Sequence, residues 1–210
     1  METFTDFMLR AGVLKFGDFT LKSGRRSPYF LNAGMYREGE HLATLGEYYA
    51  KLIAASDEEF DALFGPAYKG IPLAAVTALT LWRDYGRSYP FFYNRKEAKT
   101  HGEGGALVGY EPKRGDKIAV IEDVVSAGTA VRESVDIIGA AGARVTALYV
   151  TVDRMERGLG ELSALDELRE NFGINVYPII TVRDIMETLP VGDARRAAME
   201  GYLLQYGVSV

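Results

Sequence analysis

Between about residues 60 and 180, short apolar runs alternate with longer stretches that have helical spacing. This alternation is typical of a parallel α/β sheet flanked by helices, because each parallel strand needs a crossover connection. The pattern predicts strands at residues 60–65, 90–94, 117–122, 145–153 and 174–181. It predicts helices at residues 70–86, 130–142 and 193–207, the first of them ending at Gly86.

The N-terminal third departs from this alternation. Residues 19–34 resemble a hairpin, and we expect about residues 1–35 to form a cap over the carboxyl ends of the strands. The last predicted helix is a second candidate for covering those ends. The sequence contains no internal repeat or low-complexity segment, so a single domain is expected over residues 1–210.

Composition narrows the possible functions. No apolar run approaches the ~20 residues of a membrane span, and the start, Met1-Glu2-Thr3-Phe4, lacks a signal-peptide pattern. Cysteine is absent, which excludes disulfides, zinc–thiolate sites and cysteine nucleophiles. We therefore expect a cytoplasmic protein without a membrane partner. The net charge of −5 argues against general nucleic-acid binding.

The segment after the central predicted strand has the clearest chemical pattern. Glu122 and Asp123 end an apolar run, and Ser126, Gly128 and Thr129 follow just before a predicted helix. Ligands of open α/β sheets bind at the carboxyl ends of strands, and helix N-termini bind phosphate. The acids suit a hydroxylated group and the loop suits a phosphate. The alternative is a simple helix cap with two solvated acids.

A second strand end is followed by Gly65 and Pro66, and then by Tyr68 and Lys69 before the next helix. A cation beside a helix N-terminus suits a second phosphate group. Taken alone, the segment is equally typical of an ordinary turn that carries a surface lysine.

Residues 94–109 combine positive charge with glycine. Arg95, Lys96, Lys99 and His101 fall within seven residues, and three glycines follow at once. Glycine raises backbone entropy and packs no core, so we expect a mobile basic lid that closes over the reacting centre. The alternative is a solvated hairpin.

Two further segments contain aromatic and cationic residues. Phe30 follows a basic stretch in the predicted cap, and Arg154 follows a predicted strand. A phenylalanine can stack on a flat ring, and an arginine can pair bidentately with a carboxylate. Core packing and surface ion pairing are the alternatives.

The run "VIEDVVSAGTA" (residues 120–130) resembles the signature of the type I phosphoribosyltransferases, which bind phosphoribosyl pyrophosphate (PRPP). The runs "FTLKSGRRSPYFLNAG", "FGPAYKGIP", "NRKEAKTHGEGG" and "DRMERG" follow the order found in the orotate-specific branch of that family. Several motifs in the right order, from about Phe16 to Gly160, are far more specific than any single one.

The resemblance implies a type I phosphoribosyltransferase fold with an N-terminal hood, and roles for individual residues. Catalytic roles fall on Lys69, Lys99, His101 and Asp123. PRPP binding falls on Lys22, Tyr68, Lys69, Arg95, Lys96, Lys99, His101, Glu122, Asp123, Val124, Val125, Ser126, Ala127, Gly128, Thr129 and Ala130. Orotate binding falls on Phe30, Leu31, Ser126 and Arg154.

The resemblance also implies a homodimer whose lids reach the neighbouring site, and a magnesium ion (Mg²⁺) held mainly by PRPP and water without direct protein ligands. Glu122, Ser126 and Leu31 depart from the commonest family residues, but none of the three removes a charge. The expected reaction forms orotidine 5′-monophosphate and pyrophosphate in pyrimidine biosynthesis. A purine or uracil phosphoribosyltransferase and a non-catalytic PRPP-binding regulator are the alternatives.

Overall fold

The computed structural model describes residues 2–21, 23–97, 106–125, 128–158 and 160–208. Its strands are β1 (Leu14–Thr20), β2 (Arg26–Leu31), β3 (Ala62–Gly65), β4 (Phe91–Asn94), β5 (Leu107–Gly109), β6 (Lys117–Glu122), β7 (Arg144–Asp153) and β8 (Asn175–Thr181). Its α-helices are α1 (Phe4–Arg10), α2 (Gly39–Ala55), α3 (Gly70–Tyr85), α4 (Thr129–Ala140), α5 (Ala164–Phe172), α6 (Val182–Glu187) and α7 (Ala194–Tyr206).

Six strands form the central sheet, in the order β5-β4-β3-β6-β7-β8. The pairs from β4 to β8 are parallel, and β5 pairs antiparallel with β4 at one edge. The α/β fold predicted from the alternation is confirmed. The strand β5 was not expected, because three residues next to glycines give too short a pattern to recognise.

Helices cover both faces of the sheet, and strand β6 shows why its sequence is almost wholly apolar. Ile118 and Val120 face the core beneath α4 and α5, whereas Ala119 and Ile121 face the core shared with α2 and α3. Successive side chains of a strand point to opposite faces, so a strand buried on both faces must be apolar at every position. This leaves only the strand ends for polar groups.

The predicted cap is an antiparallel hairpin of β1 and β2, and α7 packs against β2. Two helices were not predicted. The long helix α2 packs on α3 in the main layer, and α5 follows residue 163. Nothing in the structure tests the assignment of the whole chain to one domain. Within the described ranges, no helix is long and apolar enough to cross a membrane.

The ends of the predicted lid, residues 94–109, continue the sheet edge. The Arg95 amide donates to the carbonyl of Ala106 at 2.7 Å, directly beyond the β4–β5 pairing. These ends form the base of a hairpin, and residues 98–105 lie outside the described residues.

Candidate active site

Three neighbouring parallel strands, β3, β6 and β7, end at the same edge of the sheet. Lys69 follows β3, Glu122 ends β6 with Asp123 directly after it, and Arg154 follows β7. The predicted site residues from separate parts of the chain are therefore brought to one edge, as parallel pairing requires.

Two glycines allow the β3–α3 turn to be tight. A Cβ at Gly65 would lie 2.3 Å from the carbonyl oxygen of Gly70, and a Cβ at Gly70 would lie 2.9 Å from that of Ile121. A side chain at either position would push α3 away from β6. The start of α3, and with it Lys69, is thus held against the end of β6.

Lys69 and Asp123 form an ion pair across this turn. The Lys69 Nζ donates to Asp123 Oδ2 at 2.8 Å, although the two residues are 54 positions apart. The lysine side chain is 63% exposed and the aspartate side chain 11% exposed. The cation can therefore move to a ligand, while the acid stays fixed.

Glu122 is buried beside Asp123. Burial, together with repulsion from the Asp123 carboxylate, raises the pKa of Glu122 from 4.5 to about 8. The Glu122 Oε1 accepts the backbone N–H of Asp123 at 2.9 Å, which opposes the shift only in part. Two adjacent acids in a dry place favour a ligand that donates hydroxyl groups to both.

Neighbouring elements hold the backbone of these two acids. The Tyr49 hydroxyl, from α2, donates to the Glu122 carbonyl at 2.6 Å. The backbone N–H of Thr151, from β7, donates to the Asp123 carbonyl at 2.8 Å, and the Thr151 hydroxyl donates to the same oxygen. Both carboxylates therefore project from a rigid support.

The two helices that begin at this edge lack the caps found elsewhere. Side chains cap α1, α5, α6 and α7, whereas α3 and α4 begin at Lys69 and Gly128 without one among the described residues, as does α2. Gly128 has φ +72°, which glycine adopts without strain. The free amides of α3 and α4 can bind phosphate.

A pocket of about 140 Å³ opens beside the ion pair. Its walls include Lys69, Asp123, Thr151 and Tyr36, and its apolar part comes from Pro72 and Leu73 of α3. The pocket places an apolar wall beside charged groups, which suits a ligand with both a sugar and a charged end.

Arg154 lies in a buried network. Its Nε and Nη2 donate to Glu156 Oε1 at 2.9 and 2.6 Å, and its guanidinium lies 4.7 Å from the centre of the Tyr29 ring. The Tyr29 hydroxyl donates to the same Oε1 at 2.9 Å, and burial raises the pKa of Tyr29 so that it stays protonated. The predicted orotate ligand is thus tied to the hairpin.

The hairpin also carries the predicted stacking residues. Phe30 is half-buried and stacks on Phe19, with ring centres 5.5 Å apart and a 28° angle between the planes. Leu31 packs against the core on the α2 side. Their contact with orotate stays a prediction.

The first residues of the lid lie near the β3–α3 turn. The Lys96 Nζ is 5.9 Å from the centre of the Tyr68 ring, and Tyr68 is 69% exposed. The Arg95 Nη1 is buried, with no hydrogen-bond partner among the described residues. Three predicted PRPP ligands therefore lie at the same edge of the sheet as Asp123.

Other predicted residues are placed in part. Val124 and Val125 are half-buried, and Thr129 and Ala130 are exposed at the start of α4. The predicted residues outside the described ranges are Lys22, Lys99, His101, Ser126 and Ala127.

Sequence patterns did not single out Glu156, Tyr49 or Thr151. Glu156 is two positions after Arg154, so an acid close to a predicted ligand was the available signal. Tyr49 and Thr151 act through single hydroxyls on distant backbone, and such contacts leave no periodic signal.

Comparison with known proteins agrees with this geometry. The model of the phosphoribosyl transferase domain family matches residues 35–176. A crystal structure of orotate phosphoribosyltransferase from Francisella tularensis superposes with a TM-score of 0.88 at 39% identity, covering 97% of this chain and 98% of that one. The chain belongs to the phosphoribosyltransferase family.

Relatives of known function identify the branch. The chain is 51% identical to the orotate phosphoribosyltransferase of Thioalkalivibrio sulfidiphilus over 208 residues. It is 50% identical to that of Pseudomonas paraeruginosa over 209 residues. Each comparison covers 98% of this chain and 97% of the relative. Within the family, the chain belongs to the orotate phosphoribosyltransferases, which confirms the fold and the enzyme class expected from the motifs.

Proposed function

We propose that the protein transfers the phosphoribosyl group of PRPP to orotate, giving orotidine 5′-monophosphate and pyrophosphate in pyrimidine biosynthesis. The observation that carries the proposal is the pairing of Lys69 with Asp123 at 2.8 Å beside the buried Glu122. This arrangement offers acceptors for sugar hydroxyls and a cation for pyrophosphate on one sheet edge.

The acids bind the ribose. Two hydroxyls of PRPP donate to Glu122 and Asp123, whose backbone is held by Tyr49 and Thr151. The hydrogen bonds favour the ionised form of Glu122, opposing the effect of burial. Asp123 then no longer requires Lys69 as its partner, and the exposed lysine turns to the pyrophosphate.

The phosphate groups bind at the helix starts. The 5′-phosphate lies on the amides between Val124 and Ala130, at the beginning of α4. The pyrophosphate contacts Tyr68 and Lys69 and the lid cations, Arg95, Lys96, Lys99 and His101. The side chain of Lys22 completes the PRPP contacts predicted from the sequence.

The reaction forms a bond between an orotate ring nitrogen and the anomeric carbon while the bond from that carbon to pyrophosphate breaks. Positive charge develops on the sugar, and negative charge grows on the leaving group. Lys69 and the lid cations stabilise the leaving group, and the site positions the two reactants. No covalent bond to the protein forms.

The donors present suit Mg²⁺ bound mainly through the substrate. Among the described residues, no cluster of three or more His, Asp or Glu side chains could hold a metal by itself. Glu122 and Asp123 are oxygen donors that reach it through water or sugar hydroxyls. Mg²⁺ supplies charge neutralisation for the pyrophosphate when it is bound. Chelation with EDTA should abolish turnover, and added Mg²⁺ should restore it.

Orotate binds between the hairpin and the end of β7. Phe30 and Leu31 contact its ring, Ser126 contributes a hydroxyl, and Arg154 binds the carboxylate that uracil lacks. The cytoplasmic location stays a prediction from composition.

The proposed homodimer has a suitable surface on α3. Leu79, Trp82 and Tyr85 follow each other at three-residue spacing and are 61%, 61% and 41% exposed, and Phe91 at the adjoining strand is 37% exposed. The base of the lid lies at this same edge of the sheet. A second copy seated here would bring each lid close to its partner's site.

A charge on this surface tests the dimer. We expect wild-type protein to sediment as a dimer and Trp82→Glu to sediment as a monomer with reduced activity. The matched control is Leu204→Glu, because Leu204 is 88% exposed on α7, and this variant should remain dimeric. A monomeric wild type, or a dimeric Trp82→Glu, would show that the proposed interface is wrong.

A base-selection assay tests the function. PRPP and Mg²⁺ are mixed with orotate, uracil or hypoxanthine separately, and loss of base absorbance and release of pyrophosphate are followed. Turnover is expected with orotate alone. Turnover with another base would support the purine or uracil alternative, and PRPP binding without any turnover would support the regulator.

A further inference from the structure

Glu156 contacts more polar groups than any other residue near the end of β7. Its Oε1 accepts from Arg154 Nε at 2.9 Å, from Arg154 Nη2 at 2.6 Å and from the Tyr29 hydroxyl at 2.9 Å. Its Oε2 lies 3.6 Å from Arg25 Nη1. One carboxylate therefore joins two residues of the hairpin to the predicted orotate ligand.

These contacts are shielded from water. The side chains of Arg154 and Glu156 are each 13% exposed, and Tyr29 is fully buried. A buried ion pair adds little net stability because desolvation offsets its attraction, but removing one partner leaves a charge uncompensated. The arrangement therefore suits orientation better than stabilisation.

The geometry fixes the plane of the guanidinium. Glu156 takes Nε and Nη2 along one edge, and the Tyr29 ring covers one face at 4.7 Å. Among the described residues, no side chain or carbonyl accepts a hydrogen bond from Nη1. Arginine carries five N–H donors in a rigid fork, so this leaves donors available for an anionic ligand.

The loop that carries Glu156 is also held from the C-terminal side. The Arg157 amide donates to the Tyr206 carbonyl at 2.8 Å, and the Val208 amide donates to the Met155 carbonyl at 2.9 Å. The Arg25 guanidinium lies 4.9 Å from the centre of the Tyr206 ring. Hairpin and C-terminus therefore restrain the loop from both sides.

We propose that Glu156 is a positioning residue that holds the Arg154 guanidinium ready for the carboxylate of the acceptor base. The proposal rests on the proposed function, in which Arg154 binds orotate. It assigns no contact between Glu156 and the substrate. Glu156 acts on orotate binding through Arg154 and has no effect on PRPP binding.

The test compares KM for the two substrates in Glu156→Gln. Glutamine keeps the size of the side chain but loses the charge and one acceptor oxygen. We expect the KM for orotate to rise between about 10- and 100-fold, as for a misplaced binding group, and the KM for PRPP to change less than about twofold. The control Glu161→Gln removes a 91% exposed carboxylate of the same loop and should change neither KM.

A double-mutant cycle separates positioning from general damage. In an Arg154→Ala background, Glu156→Gln should raise the orotate KM no further, because the residue through which it acts is gone. Equal increases in both KM values, unchanged KM values or additive effects in the cycle would overturn the proposal. Should Glu156→Gln not fold, Glu156→Asp is measured in the same way, since it keeps the charge but withdraws it from Arg154.

Wild-type turnover separates this proposal from the one on which it rests. A wild type that turns over PRPP only with another base, or not at all, overturns the orotate function and the positioning role together. A wild type active with orotate whose Glu156 variants show unchanged substrate preference overturns the positioning role alone.

Discussion

The site contains two ion pairs at neighbouring strand ends, and they differ in exposure. Lys69–Asp123 joins a 63% exposed lysine to a shielded acid, whereas Arg154 and Glu156 are each 13% exposed. The first pair can exchange its cation for a ligand without moving buried groups. The second is bound to Tyr29 and Arg25 and cannot rearrange alone.

The difference assigns different work to the two ends of the site. The end at β6 binds a substrate whose charge changes during the reaction, so a movable cation is an advantage. The end at β7 recognises a planar, permanently charged base, so a fixed guanidinium is an advantage. Substitutions at the two pairs should therefore separate into effects on turnover and effects on base recognition.

The largest expected effect follows Asp123→Asn. We expect turnover to fall on the order of 100-fold or more, because a charged group of the reacting centre is lost. The free energy of unfolding should change by less than about 1 kcal/mol, since the partner lysine is mostly exposed. Orotate consumption and urea denaturation measure the two quantities.

Glu59→Gln is the control for Asp123→Asn. It removes an 86% exposed carboxylate that pairs with Lys117 at 3.0 Å at the beginning of β6. Its activity should equal that of the wild type. Near-normal turnover of Asp123→Asn would contradict the role given to the exchangeable pair.

The next effect concerns pH and Glu122. Burial raises its pKa from 4.5 to about 8, so between these values the unfolded chain releases a proton that the folded protein retains. This group therefore lowers the free energy of unfolding as pH rises through that window, by at most about 1.4 kcal/mol per pH unit. Glu122→Gln should remove this slope in urea denaturation of ligand-free protein between pH 5 and 8.

Glu161→Gln is the matched control for Glu122→Gln, because it removes an exposed carboxylate and should leave the slope in place. The same slope in wild type and Glu122→Gln would mean that the buried acid is not the source of the pH dependence.

The smallest effect is expected for Tyr29→Phe. It deletes one buried hydrogen bond to Glu156 and keeps the ring beneath Arg154, so we expect a loss of about 1.5 kcal/mol in the free energy of unfolding. The orotate KM should rise less than in Glu156→Gln, because both Arg154 bonds remain. Tyr48→Phe is the control, since its hydroxyl makes only an exposed 3.4 Å contact. An orotate KM equal to that of Glu156→Gln would blur the comparison between the two ends.

Local patterns were sufficient for the main elements and for much of the site. The apolar run before Glu122 predicted a strand buried on both faces, and the acids at its end predicted a sugar site. The glycines around Lys69 predicted a tight turn, which the 2.3 Å Cβ contact at Gly65 explains. The three-residue strand β5 and the helix α5 escaped because their patterns are short or strongly polar.

Contacts between distant residues could not be predicted in this way. Tyr29 and Glu156 are 127 positions apart, and Tyr49 and the Glu122 carbonyl 73 apart. Each contact depends on strand order, register and the packing of the hairpin on α7. No feature of either residue's neighbours in the sequence indicates the other.

The sequence by itself determined the kind of fold, the strand that carries the acids and the family motifs, because these depend on the spacing of residues along the chain. Only the tertiary structure decided which charges meet and how much water reaches them. Exposure is a property of the packed elements around a side chain, so the exchangeable pair at Asp123 and the fixed pair at Arg154 look alike in sequence and differ in the folded protein.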